Sequence, residues 1–534
     1  MMKKILVFVC MLLSIYRTSA QSQNTTYSGT IKGYSASIGF KNAQLLVDNV
    51  VTGLHDMYLI DIKPDGTFYA NFPLVHKQGC WITFPFFNSV VYFEPGKKLV
   101  QDFDVTDVRK VSSVFKGDAK MALINNDINK VRPILMDYNW NAIYSDIYQL
   151  TPEQFKAYFL KIRNHKLALI DSVAKASNIN IHTYELARRS VQYNIAAVLI
   201  QYNSLRENAY RIRNKLPFDS KKPVLSPVKL NTAYYYFLKE IKYNDVAAME
   251  VYDYYQFMNW LMFIEPIYDK AGRIDYTNEI NLLKTKDTSN KDVKATIAYY
   301  ENMAWRNPTA PGALEKARPA VLKSLLNTNI SLEFELMDLQ VVSQRMDDEK
   351  DTLSDAEFAR VKARIKNKFL LADVAALNNK IKQNIRDSKT SKGYTYNQIQ
   401  ANAPADSFFV KMMDKYKGKA VFIDFWATWC APCMISLKEI APLKEDLAQN
   451  KDIVFLYITN TSSPEKSYKT VMPGIKGEHY RVTQDQYNLL AKQFQVTGIP
   501  HYALVNKRGN IVDRDFKWNQ TDQIKKQLLA LANE

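Results

Sequence analysis

The chain has 534 residues, 47% hydrophobic and 23% charged, with a formal net charge of +17 at neutral pH. That length exceeds what one hydrophobic core supports and predicts about three domains, and the balance excludes a disordered or fibrous chain. The basic excess falls in no Lys/Arg block and no nucleic-acid motif accompanies it, so it reads as a solvated surface and nucleic acid is not an expected partner.

The chain opens "MMKKILVFVCMLLSIYRTSAQSQ". Lys3 and Lys4 form a positive start, Ile5 to Tyr16 an apolar run of twelve residues, and Thr18-Ser19-Ala20 a small-residue cleavage site. This predicts a signal peptide over 1–20, cleaved after Ala20, and an exported, periplasmic protein. The run is short for a bilayer span, and Cys10 lacks the setting of a lipoprotein anchor. The remaining cysteines, Cys80, Cys430 and Cys433, are too few for a disulfide framework.

Residues 21–117 read as a β-rich domain, a small antiparallel sandwich or barrel. In "DMYLIDIKPDGTFYANF", Pro64-Asp65-Gly66 marks a turn, after which Phe68, Ala70 and Phe72 alternate with polar neighbours. Cys80, before Trp81 in an aromatic strand, is expected to be a buried, inert thiol.

Residues 118–385 read as a helical domain. Thr151, Pro152 and Gln154 form a helix start with a capping box, followed by Phe155, Tyr158, Phe159 and Ile162 at helical spacing. Ser354 and Glu357 repeat the device ahead of a stripe of Phe358, Val361, Ile365 and Phe369. The aromatic run between them carries too many charges for a membrane helix and predicts burial in a helical array. No fixed repeat period stands out.

Residues 386–407 are polar and read as a linker. Over 408–534 the pattern alternates: strand "AVFIDFW", a helix from Cys430 to about Gln449, strand "IVFLYIT", helix "QDQYNLLAKQF", a hairpin and a final helix. This predicts a central sheet covered by helices.

The chemistry concentrates in "DFWATWCAPC", Asp424 to Cys433. Two cysteines two residues apart can be a redox pair, half a metal site or two buried thiols. Cys430 at a helix N-terminus would meet free N–H groups and the positive end of the helix dipole, which favour a thiolate. Cys433, one turn on, lies within reach for a disulfide, and Pro432 in the first turn costs little. Asp424 sits in an apolar strand, where burial makes a carboxylate hold its proton. Zinc needs four ligands, and no second CxxC or His pair exists; His479 and His501 are isolated. A peroxidase would need a lone peroxidatic cysteine in another setting. Neither metal nor cofactor is expected.

As a whole, "FIDFWATWCAPC" together with "VTGIPHYALVNKRGNIV" resembles the thioredoxin superfamily. The long span between Cys433 and Pro500 is similar to the TlpA/ResA-like branch of exported thiol–disulfide oxidoreductases. The resemblance covers about Ala401 to Glu534. It implies a thioredoxin-like α/β fold, Cys430 and Cys433 as the redox disulfide, Asp424 as proton relay, and Pro500 as a cis-proline. It also implies that Trp429, Ile499 and Pro500 bind an extended substrate segment. The partners implied are protein thiols and disulfides of the cell envelope, with electrons supplied from a membrane donor and membrane association allowed. Two positions depart from the pattern: Ala431-Pro432 replaces the glutamate that some ResA-like proteins place between the cysteines, and Lys438 stands where the helix proline usually falls, with Pro442 one turn later. His501 is expected on a solvent-facing strand. The rival reading is an envelope binding or scaffold protein with an accessory thioredoxin-like domain.

Overall fold

The computed structural model describes residues 22–35, 40–107, 109–138, 144, 147–216, 224–290, 293–294, 296–297, 300–301, 309–328, 330–397 and 408–534. The expected signal peptide lies outside them. Among the described residues, no helix is long and apolar enough to cross a membrane.

The first eight strands are β1 (Gln23–Lys32), β2 (Asn42–Asn49), β3 (Leu54–Ile62), β4 (Thr67–Leu74), β5 (Gln78–Phe84), β6 (Phe87–Phe93), β7 (Lys98–Asp104) and β8 (Ser112–Gly117). They form one sheet in the order β6-β5-β2-β3-β4-β1-β7-β8. The turn expected at Pro64 to Gly66 joins β3 to β4: Gly66 takes φ +81°, which a residue with Cβ resists, and Asp65 Oδ1 accepts from the backbone of Thr67 at 2.9 Å. The sheet is not wholly antiparallel, because β1 and β7 run parallel. Gly29 permits that pairing, since a Cβ there would sit 1.8 Å from the carbonyl oxygen of Gln101.

Phe84 on β5 and Phe103 on β7 stand five strands apart, roughly 24 Å in a flat sheet. Their ring centroids are 5.2 Å apart. The sheet therefore coils over an aromatic interior that also takes in Phe68 and Phe86. Its two edge strands are stoppered by helix α1 (Ala119–Met136). Asn125 bonds the N–H and C=O of Tyr92 on β6 at 2.8 and 2.9 Å. Asn126 bonds those of Phe115 on β8, both at 2.9 Å. Two adjacent asparagines thus pair both free edges, which would otherwise offer themselves to other chains.

Helices follow, among them α2 (Pro152–Ala176), α3 (Ile181–Ile200), α4 (Tyr252–Leu261), α5 (Ser331–Glu349), α6 (Asp355–Arg364) and α7 (Leu371–Thr390). Both expected capping boxes form, Thr151 with Gln154 and Ser354 with Glu357. The stripe expected to run through Phe369 is interrupted: α6 stops at Arg364, and the Glu335 carboxylate accepts the N–H groups of Lys366 and Asn367 at 2.9 and 3.0 Å. That carboxylate substitutes for the next turn of helix. Tyr254, Phe257 and Met258 of the aromatic run are buried in the array.

The second sheet has β9 (Tyr394–Asn397), β10 (Ala420–Phe425), β11 (Ile453–Thr459), β12 (Gly477–Arg481), β13 (His501–Val505) and β14 (Ile511–Asp513), in the order β14-β13-β10-β11-β12-β9. It is covered by α8 (Phe408–Asp414), α9 (Ala431–Asp446), α10 (Glu465–Val471), α11 (Gln484–Phe494) and α12 (Thr521–Asn533). Here the expected linker is revised. Helix α7 runs on to Thr390, and Tyr394–Asn397 is an edge strand paired in parallel with β12. Residues 398–407 lie outside the described residues. The alternation of β10 builds both layers: Ala420, Phe422 and Trp426 pack in one core, Val421, Ile423 and Phe425 in the other.

Candidate active site

Strand β10 leads through Trp426 to Cys430, and α9 begins at Ala431. Cys430 is the N-cap residue; its Sγ accepts from the N–H of Cys433 at 3.2 Å. The two cysteines are joined in a disulfide. Cys430 is 4% exposed and Cys433 fully buried. The loop ahead of them is held from β11: the Thr428 N–H donates to Ser463 Oγ at 3.1 Å, and Ser463 shares a 2.8 Å hydrogen bond with Thr459.

The two flanking tryptophans differ. Trp426 is buried, its ring near Tyr468, whereas Trp429 is 58% exposed and tethered by a 3.1 Å hydrogen bond from Nε1 to Ser462. An exposed, fixed indole beside a disulfide is a ready contact surface.

Asp424 faces the same side of β10 as Phe422 and Trp426, beneath α9, and is fully buried. Neither carboxylate oxygen has a hydrogen-bond partner among the described residues. Burial pushes its carboxyl up to about 8, against the opposing charge of Lys444. A buried, unpartnered carboxylate is costly to ionise, so Asp424 stores a proton at neutral pH. Lys444, on the buried face of α9, is depressed by burial and donates to the Lys476 carbonyl at 2.9 Å. It was not singled out from sequence, yet Cys433, Leu437, Ile440 and Lys444 follow one another at helical spacing along one face.

The Ile499–Pro500 peptide is cis. Strand β13 pairs with β10 through Phe425↔His501 and Asp424↔Tyr502, which sets Pro500 level with Trp426, at the sheet end that carries the CxxC loop. His501 is not at the surface. It is 4% exposed, and its Nε2 lies 2.7 Å from the Arg514 carbonyl, because β13 is an interior strand between β10 and β14. Cys80 lies on β5, fully buried, its thiol raised by desolvation. Among the described residues no group of His, Cys, Asp and Glu forms a metal-binding cluster.

The Thioredoxin_8 family, described as thioredoxin-like, matches residues 418–511. The C-terminal domain belongs to the thioredoxin-like family. An uncharacterized protein of Haemophilus influenzae is 34% identical over 105 residues, 18% of this chain and 65% of that one. The thiol-disulfide oxidoreductase ResA of Geobacillus kaustophilus is 26% identical over 102 residues, 18% of this chain and 55% of its own. The thiol:disulfide interchange protein HelX of Rhodobacter capsulatus is 26% identical over 101 residues, 19% and 54%. The chain thus spans between half and two-thirds of the length of these relatives. The thioredoxin-like domain carries the CxxC, the buried acid and the cis-proline in one unit.

Proposed function

We propose that the chain is an exported thiol–disulfide oxidoreductase that reduces protein disulfides in the cell envelope. The observation that carries this reading is the Cys430–Cys433 pair at the start of α9, with the buried carboxyl of Asp424 below it. In the reduced form, the Cys430 thiolate attacks one sulfur of a substrate disulfide, and the other sulfur leaves as a thiolate that takes up a proton. The Cys433 thiolate then attacks Cys430 Sγ, frees the second substrate thiol and leaves the Cys430–Cys433 disulfide. Two electrons pass from the enzyme dithiol to the substrate, and a partner dithiol, supplied from the membrane side, restores the enzyme. Asp424 exchanges the proton of Cys433. Trp429, Ile499 and Pro500 hold the substrate segment. The domains at 21–117 and 118–385 serve as an arm that selects or positions the partner, and the leader at 1–20 directs export to the periplasm.

The test is reduction of insulin with dithiothreitol as electron source, by wild type and Cys430→Ser. Turnover that depends on Cys430, and a reversible midpoint potential for the pair, support the reading. A pair that neither titrates reversibly nor supports turnover overturns it in favour of a binding role.

A further inference from the structure

The register between β3 and β4 stops two pairs after the turn, at Asp61↔Tyr69. Each strand is paired along its full length on its other side, β3 with β2 and β4 with β1. The two therefore splay apart within one sheet. Pro73 supplies a reason. Carried on, the register would set Met57 opposite Pro73, which has no N–H to give. Alternation fixes which backbone groups face the gap. Ile62 donates to Lys41 on the β2 side, so the odd residues His55 and Met57 point the other way. Consistent with this, Met57 O accepts from Lys438 Nζ of α9 at 2.8 Å. Lys438 thus closes the edge at Met57, while beyond it Leu54, His55 and Asp56 border open space.

That space is a cleft of about 2080 Å³. Leu54 to Tyr58 of β3 form one wall, and a face of α7 that includes Asn379 and Asn384 forms another. Its far end is lined by Trp429, Ala431 and Met434, the residues around Cys430. Small-ligand sites run to about 300–1,000 Å³, so this cleft is too large for one. A strand edge facing a helix across a groove suits an extended backbone. From Lys438 to Cys430 is eight residues of helix, about 12 Å, which roughly four extended residues cover.

We propose that this cleft docks an extended, cysteine-bearing segment of the protein substrate, which adds to the open edge of β3 and delivers its disulfide to Cys430. The inference rests on the redox reading above and assigns the upstream domains a part in it: β3 and α7 are the walls of the substrate site. Because the bonds are to backbone, any unfolded segment of suitable length fits, and insulin serves as the probe.

His55→Pro removes one edge N–H while sparing the β2 ladder, which His55 does not use by the same alternation. Asn379→Trp, on an exposed turn of α7 beside the Lys380–Asp56 ion pair, fills the groove without touching β3. His55→Pro is expected to lower kcat/KM for insulin about five-fold or more, the value of one lost hydrogen bond, and Asn379→Trp to lower it by obstructing the groove. Turnover of the small disulfide 5,5′-dithiobis(2-nitrobenzoate), which needs no docking, stays at the wild-type level and reports an intact fold. Insulin turnover at the wild-type level in both variants would overturn the docking site and leave the redox pair standing. A wild-type protein inert toward both disulfides would remove the redox reading, and this one with it.

Discussion

Lys438 Nζ donates to the Met57 carbonyl at 2.8 Å and lies over the Tyr58 ring at 5.9 Å, so the helix that starts at the Cys430–Cys433 disulfide is fastened to the first domain. Gln44 adds a bond to Glu439 at 2.5 Å. Burial depresses the Lys438 ammonium, the sign of a charge held in a poorly hydrated joint. Lys438→Ala is expected to cost about 1–3 kcal/mol, the range for losing a charged donor to a part-buried carbonyl. Urea unfolding would show it as a lower midpoint, and an unchanged midpoint would mean that this joint does not contribute to holding the domains.

Asp424 predicts a stability that falls as pH rises. Its carboxyl sits at about 8 in the folded chain and near the ordinary 3.9 when unfolded. Between those values the folded chain holds a proton that the unfolded chain has released, so each step up in pH favours unfolding. The full difference, about four pH units, is worth on the order of 5 kcal/mol. Asp424→Asn should match wild type near pH 4 and exceed it by several kcal/mol at pH 8.5, in the oxidised state. Parallel pH profiles for the two proteins would show that the acid is ionised and paired after all. If Asp424 also relays the proton of Cys433, the same variant loses about 10²-fold or more in turnover, the usual scale for such a group.

What the sequence made legible was local. The boxes at Thr151 and Ser354 span only four residues each, the period-two run of β10 needs one strand, and the CxxC with its acid needs ten residues. What it hid was set by partners distant in the chain. His501 reads as an exposed strand residue until β14 is known to cover its far side. Helix α6 ends early because of Glu335, some thirty residues upstream. Tyr394–Asn397 looks like linker because the strand it pairs with, β12, lies far along the chain. Two signals were present and unused: Pro73 within a strand, which marks a place where pairing fails, and Lys444 on the apolar face of α9.

Asp373 of α7 ties the second domain to the first. Its buried carboxylate meets His76 Nε2 at 2.5 Å and Asn49 Nδ2 at 2.8 Å, both from the β domain. Asp373→Ala leaves two half-buried polar groups without their acceptor, a loss of about 1–3 kcal/mol. Because α7 also forms a wall of the cleft, the variant should expose the 371–390 helix to limited proteolysis earlier than wild type. Equal protection in both would show that α7 is held by its other contacts alone.

The three cysteines beyond the expected leader differ in environment enough to be told apart by labelling. Cys430 caps α9, where the helix N–H groups stabilise a thiolate, so in the reduced protein its alkylation midpoint should fall below the ~8.5 of a free cysteine. Cys433 is fully buried one turn in and should label only slowly. Cys80 lies within the coiled sheet, its thiol raised by desolvation, and should remain unlabelled until urea unfolds the first domain. Iodoacetamide labelling across a pH series, read by peptide mass, resolves all three. Labelling of Cys80 in the native protein would contradict the closed aromatic interior, and a Cys430 midpoint at or above that of free cysteine would remove the chemical basis for attack on a disulfide.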